Sequence, residues 1–150
     1  MAVHVHTSIP ISFVRLTNCT ERQIRDIVAV YTSAGWWKEE YDAMAIPQLV
    51  ESSFCFFTAQ EADGRIVGMG RALSDGVSVA YIQDFAVLPQ ARGMGIGSAL
   101  ISHVTAYIQD VGIASIMLMA QPGTSHFYAS CSWSTIPKRI CLFQDGSHDD

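Results

Sequence analysis

The stretch from Gln90 to Gly97, QARGMGIG, decides how this chain is interpreted. Its alternating glycines let the backbone approach a ligand closely. The apolar run before it, which ends at Pro89, is typical of a buried strand. After it, apolar residues recur every four positions and predict the buried stripe of a helix; they are Ile96, Leu100, Val104 and Ile108. Because the first N–H groups of a helix lack internal partners and carry partial positive charge, this stretch predicts an anion-binding loop.

The flanking residues distinguish three phosphate-binding patterns. A Walker A loop ends in Gly-Lys-Ser/Thr, but Gly97 is followed directly by Ser98, without a lysine. A dinucleotide fingerprint is G-x-G-x-x-G directly after a strand, whereas here the spacing is G-x-G-x-G and residues 89–92 intervene. The third pattern is Gln/Arg-x-x-Gly-x-Gly/Ala after a strand ending in Val-x-Pro. Gln90, Gly93 and Gly95 fit it, and Val87 and Pro89 supply the strand end.

On these residues the chain resembles the GNAT superfamily of acetyl-CoA-dependent N-acetyltransferases. The resemblance extends from about Phe13 to Phe143 and is strongest from Tyr81 to Gly112. It implies that the loop holds the pyrophosphate of coenzyme A, and that the backbone of the preceding strand, at Phe85, Ala86 and Val87, pairs with the pantetheine. The loop residues to which it assigns cofactor binding are Gln90, Arg92, Gly93, Met94, Gly95, Ile96, Gly97 and Ser98.

The order of elements along the chain is predicted as β-α-α-β-β-β-α-β-α-β. Thr20 and Gln23 form a capping box that begins the first helix, and the last strand is expected at Lys138 to Phe143. This order predicts an α/β fold of the α+β type, with helices on both faces of a mixed sheet. The resemblance adds that the sheet is mostly antiparallel and that its fourth and fifth strands splay apart. We expect one domain over residues 1–150, with flexible ends at 1–10 and 145–150.

An aromatic pair, Phe127-Tyr128, matches the Phe-Tyr of the family motif FYxxxGF. The resemblance implies that Tyr128 protonates the departing thiolate. Ser132 stands where the family has glycine and Trp133 where it has phenylalanine. The alternative is that the pair only packs in the core.

Asp84 is the candidate general base. It lies within an otherwise apolar strand, where a carboxylate is costly unless it is hydrogen-bonded. Alternation predicts that it shares a face with Ile82 and Ala86, opposite Gln83 and Phe85. Bracing a neighbouring loop is the alternative role for Asp84, and Glu39 and Glu40 are alternative bases acting through water.

Trp36, Trp37 and Tyr41 are the candidate acceptor-binding residues. They follow the first predicted helix, in the segment that forms the acceptor pocket in the family that the chain resembles. Aromatic rings with acidic neighbours, such as Asp42, suit a cationic amine. The alternative is a tryptophan that covers the sheet edge beside a solvated run of charges.

Composition limits the remaining classes of function. The chain has 150 residues, 49% hydrophobic and 15% charged, as in a well-buried globular domain. The net charge of −5 argues against nucleic acid, and no apolar run is long enough to predict a membrane span. Four cysteines without CxxC spacing favour reduced thiols, no metal site and a cytoplasmic protein. The first ten residues lack the basic region and the long apolar core that predict a signal peptide. The sequence is compatible with a homodimer.

We therefore expect direct transfer of an acetyl group from acetyl-CoA to a primary amine of a small molecule, with an arylalkylamine or polyamine-like acceptor. The residues Tyr81-Ile82-Gln83-Asp84 resemble a subgroup that includes serotonin N-acetyltransferases of the plastid and cyanobacterial type. The alternatives are a nucleotide- or NAD-binding protein, a non-catalytic acyl-CoA-binding module, and an acetyltransferase of protein N-termini or lysines.

Overall fold

A computed structural model of the chain describes residues 9–144. Of the ends that were expected to be flexible, residues 1–8 and 145–150 lie outside the described residues. The described chain groups into two compact units, residues 9–119 and residues 120–144.

The first unit is an α/β unit built around one sheet. Its strands are β1 (Ile11–Arg15), β2 (Cys55–Glu61), β3 (Ile66–Ser74), β4 (Val79–Val87) and β5 (Ser115–Leu118). Its helices are α1 (Glu21–Ser33), α2 (Ile46–Ser52) and α3 (Ile96–Asp110), and single 3₁₀ turns lie at Ala43–Ala45 and Pro89–Ala91. The second unit contains one helix, α4 (Ser125–Ser130).

The sheet runs in the order β1-β2-β3-β4-β5. Its first four strands are antiparallel neighbours, and β5 is parallel to β4. This mixed, mostly antiparallel sheet with helices confirms the predicted fold class. The β4–β5 ladder begins at the pair Val79–Ser115 and ends at Ile82–Leu118. Residues 83–87 of β4 therefore run on beyond the ladder, because β5 itself ends at Leu118. The splay of these two strands stays a prediction.

Local sequence signals place the helices correctly. The predicted capping box begins α1: the backbone N–H of Gln23 donates to Thr20 Oγ1 at 3.2 Å, and that of Thr20 donates to Gln23 Oε1 at 2.9 Å. Proline lies in the first turn of α2, where its missing N–H costs nothing. The predicted stripe of α3, from Ile96 to Ile108, is buried.

Helices cover both faces of the sheet. On one face the ring of Tyr107, from α3, contacts Phe57 of β2 with a centroid distance of 5.7 Å. On the other, α1 presents Ile27 and Val30, both fully buried in the main hydrophobic core. No helix among residues 9–144 is long and apolar enough to cross a membrane.

The expected last strand is wrong. Residues 138–143 have no regular secondary structure, and Ile140, Leu142 and Phe143 are each more than 80% exposed. Alternating side chains favour a strand only where a neighbouring strand takes up the backbone hydrogen bonds and covers the apolar face. The described part of the second unit, residues 120–144, contains no strand to do so.

Candidate active site

A β-bulge in β4 gives Asp84 its position. Met69 of β3 pairs with Ala86 and Arg71 pairs with Gln83, so that Gly70 faces two residues, Asp84 and Phe85. Asp84 adopts φ +52°, in the left-handed region, which aspartate tolerates better than most residues. Such an extra residue reverses the alternation of side chains beyond it.

The reversal corrects the predicted faces of β4. Phe85 lies on the α3 side, where a Cβ added at Gly70 would be 2.8 Å from Phe85 Cδ2 and 3.7 Å from Val104. Asp84 lies on the α1 side, the side of Arg71 and Gln83. The expectation that Asp84 shares a face with Ile82 was therefore wrong, because simple alternation cannot foresee a bulge.

Two donors converge on one oxygen of Asp84. The hydroxyl of Tyr31, from α1, donates to Oδ2 at 2.7 Å, and Nε of Arg71 donates to the same oxygen at 2.6 Å. Arg71 also donates from Nη2 to Gln83 Oε1 at 3.3 Å. Burial, and then the nearby carboxylate of Asp84, raise the pKa of Tyr31 above its usual value, while Arg71 opposes them. The phenol therefore stays protonated and remains a donor at neutral pH.

A cavity of about 370 Å³ opens beside this network. The structure brings together there the candidate base and all three candidate acceptor-binding residues, Trp36, Trp37 and Tyr41. Both tryptophans are half-buried and both face the cavity. The other lining residues are Tyr31, Glu40, Asp42, Ala45, Ile46 and Leu49. Three carboxylates and four aromatic rings thus surround a space fit for a small molecule.

The aromatic rings form one connected wall. Trp37 lies between Tyr31 and Tyr41, with centroid distances of 6.2 and 5.6 Å, and it meets Tyr41 edge to face. Trp36 also contacts Tyr31, with a centroid distance of 6.4 Å. Asp42 is fixed at the rim, where its Oδ1 caps the 3₁₀ turn by accepting from the Met44 N–H at 2.9 Å. The wall suits cation–π contacts. Glu39, one of the alternative bases, is exposed and is not among the lining residues.

The glycine loop forms an open cradle at the start of α3. Gly93 and Gly95 adopt φ +80° and +77°, and a Cβ added to either would meet no heavy atom within 4 Å. Gly95 is the N-cap of α3 and offers no side-chain acceptor to the first turn. Ile96, directly after it, is buried and fixes the helix start to the core. Open space and helix N–H groups at one place fit a pyrophosphate.

The other predicted cofactor residues lie around this loop. Arg92 is exposed and donates from Nε to the Val87 carbonyl at 3.0 Å, which ties the loop to the end of β4. The remaining loop positions are exposed or half-buried, namely Gln90, Met94, Gly97 and Ser98. Phe85, Ala86 and Val87 are half-buried in β4, beyond its ladder with β5.

In the second unit, Tyr128 is half-buried on α4. Its ring contacts Phe127 and Trp133, with centroid distances of 5.1 and 6.2 Å. Burial raises the pKa of its phenol above the usual value, and Cys131 adds to the effect. Ser132 adopts φ +68°. The left-handed backbone at this position explains why the family motif carries glycine there.

Two residues of the site, Tyr31 and Arg71, were missed as functional from the sequence. Tyr31 lies four and seven positions after Ile27 and Ile24 at helical spacing, so that the sequence indicates only a place on the apolar face of α1. Arg71 interrupts the buried strand β3 just as Asp84 interrupts β4, and that shared signal could have paired them. A charge within a buried strand needs a partner of opposite charge.

Comparisons with known proteins identify the family and the fold of the chain. The model of the Acetyltransferase (GNAT) family matches residues 21–133. A GNAT family acetyltransferase of Streptococcus pneumoniae has a similar structure, with a TM-score of 0.74 and 21% identity over 91% of this chain and 99% of that one. At that identity the likeness shows the fold.

Curated relatives are similar over part of their length. An uncharacterized N-acetyltransferase of Prochlorococcus marinus is 39% identical over 53% of this chain and 44% of its own length. The chloroplastic serotonin N-acetyltransferase 2 of rice is 32% identical over 55% of this chain and 42% of its own. The chain thus spans less than half the length of these two relatives.

Proposed function

The chain belongs to the GNAT family of acetyltransferases, and from that premise we propose that it transfers the acetyl group of acetyl-CoA to a primary amine of a small molecule. The observation that carries the proposal is the aromatic, acidic cavity at Asp84, on the strand that leads into the glycine loop. The finer proposal is an arylalkylamine or polyamine-like acceptor. Carboxylates around aromatic walls favour a cation, and the rice relative is named for an arylalkylamine.

The donor is proposed to lie along the end of β4 and the glycine loop. Backbone groups of Phe85, Ala86 and Val87 would pair with its pantetheine arm, and the loop residues Gln90 to Ser98 would bind its pyrophosphate. The open cradle at Gly93 and Gly95 and the helix start support this placement. Acetyl-CoA supplies an acetyl thioester whose carbonyl carbon accepts the amine nitrogen and whose sulfur departs.

Asp84 is proposed as the base. An alkylammonium has a pKa of about 10.4, so the amine must lose a proton before its lone pair can attack. The Asp84 carboxylate takes that proton and later releases it to water.

Tyr128 is proposed to donate a proton to the departing sulfur and to regain the second proton that the nitrogen loses. This role rests on the Phe-Tyr motif. The acceptor-binding role of Trp36, Trp37 and Tyr41 rests on the cavity that they line.

The experiment is a thiol-release assay with acetyl-CoA and a panel that includes 2-phenylethylamine, serotonin, spermidine, an aminoglycoside and a lysine peptide. We expect release with a small amine and a loss of at least about tenfold in kcat in Asp84→Asn and in Tyr128→Phe. Release with the peptide alone would instead favour a protein acetyltransferase. A protein that binds acetyl-CoA but acetylates none of the panel would favour a non-catalytic module.

A thermal-shift experiment tests the donor separately. Acetyl-CoA is expected to raise Tm, because a ligand at 100 times its Kd stabilises the folded state by about 2.7 kcal/mol. Stabilisation by NAD or ATP and not by acetyl-CoA would overturn the proposal.

The cytoplasm, which the cysteine usage favours, stays the proposed compartment.

A further inference from the structure

We propose that Tyr31 and Arg71 are positioning residues that hold one oxygen of Asp84 so that its other oxygen faces the acceptor. This inference rests on the proposed function, since it gives the base of that reaction its orientation. It assigns different tasks to the two carboxylate oxygens: Oδ2 is the held oxygen and Oδ1 the reactive one.

The hydrogen bonds to Asp84 are one-sided. Tyr31 and Arg71 both donate to Oδ2, at 2.7 and 2.6 Å. Among the described residues no donor bonds Oδ1, and no buried side-chain oxygen there is left without a hydrogen-bond partner. Oδ1 must therefore be open to solvent. The side chain of Asp84 is 27% exposed, against 14% for Arg71, and Asp84 lines the cavity.

The two donors come from different elements, which fixes the carboxylate in two directions. Tyr31 reaches Asp84 from α1 across 53 residues of sequence, and Arg71 reaches it from the neighbouring strand. Arg71 is itself held by Gln83. Tyr31 is buried and its ring contacts both tryptophans, so that its hydroxyl has little freedom to move. A carboxylate held in this way needs no reorientation when the acceptor binds.

The bulge in β4 also supports the proposal that Asp84 is held for a function. Non-glycine residues in the left-handed region carry backbone strain, and strained residues cluster at functional sites. Asp84 carries this conformation at the point where β4 leaves its ladder with β5. Without the bulge, alternation would turn the carboxylate to the α3 face, away from Tyr31 and Arg71. The strain, the two donors and the cavity therefore meet at one residue.

The chemical step follows from this arrangement. The acceptor ammonium donates an N–H to Oδ1 and transfers that proton to it, which leaves a neutral amine with a lone pair. The negative charge lost from Asp84 is restored when Oδ1 releases the proton to water. Oδ2 keeps both of its hydrogen bonds throughout, so the carboxyl group does not rotate away.

The test is a double-mutant cycle on the full chain, with Tyr31→Phe, Arg71→Gln and each of these combined with Asp84→Asn. Tyr31→Phe keeps the aromatic ring and removes only the donor. We expect each single variant to lower kcat/KM for 2-phenylethylamine or serotonin about tenfold, with the KM for acetyl-CoA unchanged. In the Asp84→Asn background the same changes should have almost no further effect. Tyr107→Phe, on the opposite face of the sheet, is the matched control and should behave as wild type.

Single variants as active as wild type would overturn the inference, and so would losses that persist undiminished beside Asp84→Asn. If wild type acetylates no amine, the proposed function fails, and the inference is then judged by amine binding. Quenching of tryptophan fluorescence by 2-phenylethylamine reports that binding at Trp36 and Trp37. If Tyr31→Phe changes the amine Kd less beside Asp84→Asn than in wild type, the two residues are coupled and the positioning role is kept. Equal changes in both backgrounds would refute it.

Discussion

At the scale of single residues, hydrogen bonding distinguishes polar side chains that are fully satisfied from those that can still react. Thr58 shows how a buried polar side chain is satisfied: its hydroxyl donates to the Val14 carbonyl at 3.2 Å and accepts from Gln60 at 2.9 Å. Asp84 differs from it, because its carboxylate is bonded through one oxygen and open at the other. That difference separates a satisfied structural group from a group that can still react.

The buried thiol of Cys55 is expected to make stability depend on pH. Burial raises its pKa from 9.0 to about 11. Between these values an unfolded chain has lost the thiol proton while the folded chain keeps it, so the free energy of unfolding must fall as the pH rises through this range. Cys55→Ala should remove that part of the fall, on the order of 2 kcal/mol, since one pKa unit corresponds to about 1.4 kcal/mol.

Urea unfolding of wild type and Cys55→Ala from pH 7 to 11 measures this effect. The difference between the two proteins should be constant below pH 9 and shrink above it, which separates the ionisation from any cavity that the substitution leaves. A difference that stays constant to pH 11 would contradict the prediction.

At the scale of elements, Gly70 and the bulge of β4 depend on each other. The Phe85 ring fills the place that a side chain at residue 70 would take, 2.8 Å from an added Cβ. Gly70→Ala should therefore destabilise the protein by about 1 to 3 kcal/mol, the usual cost of overpacking. In a Phe85→Ala background the same substitution should cost much less, because the ring that it meets is gone. Chemical unfolding of the four proteins gives the coupling, and equal costs in both backgrounds would mean that the ring is not the obstacle.

The glycine loop allows a comparison between the two ends of α3. Gly95 and Gly112 both adopt positive φ, +77° and +103°, and neither would place a Cβ near another atom. An alanine at either position should therefore cost about 1 kcal/mol of stability through backbone strain alone. Only Gly95→Ala should also weaken the binding of acetyl-CoA, because it reshapes the start of the helix. We expect the Kd of acetyl-CoA, measured by calorimetry, to rise about tenfold. Equal effects of the two variants on acetyl-CoA would refute the assignment of the loop.

Features that depend on residues close together in the sequence were predicted well. Features that depend on contacts between distant residues were not. The capping box of α1 and the stripe of α3 depend on residues three or four apart, so the sequence contains them in full. The bulge depends on how Gly70 of one strand meets Phe85 of another, and alternation alone gave Asp84 the wrong face. The expected strand at residues 138–143 failed for a related reason, since a strand is defined by its neighbour. Trp36, Trp37 and Tyr41 line one cavity in the structure, and their binding of the acceptor stays a prediction.

At the scale of the whole molecule, charge favours a cationic acceptor. The chain carries a formal net charge of −5, and Glu40, Asp42 and Asp84 line the cavity. Arg71 is paired with Asp84 and balances it. Lys38, whose Nζ lies 5.9 Å from the centroid of the Tyr41 ring, offsets one of the two remaining carboxylates, Glu40 and Asp42, so that one negative charge is in excess. A protonated amine should therefore enter a negative potential that salt can screen.

Salt should accordingly weaken the binding of amines and leave neutral analogues unaffected. Raising NaCl from about 20 mM to about 500 mM shortens the screening length to a few ångströms. We expect the Kd of 2-phenylethylamine, measured by tryptophan fluorescence, to rise about threefold or more. The Kd of 2-phenylethanol, which has the same ring without the charge, should stay constant, because aromatic contacts are not screened. Charge attraction also requires Glu40→Gln to reduce the salt dependence of the amine Kd. If the Kd values of the amine and the alcohol respond to salt alike, the carboxylates of the cavity do not select the acceptor.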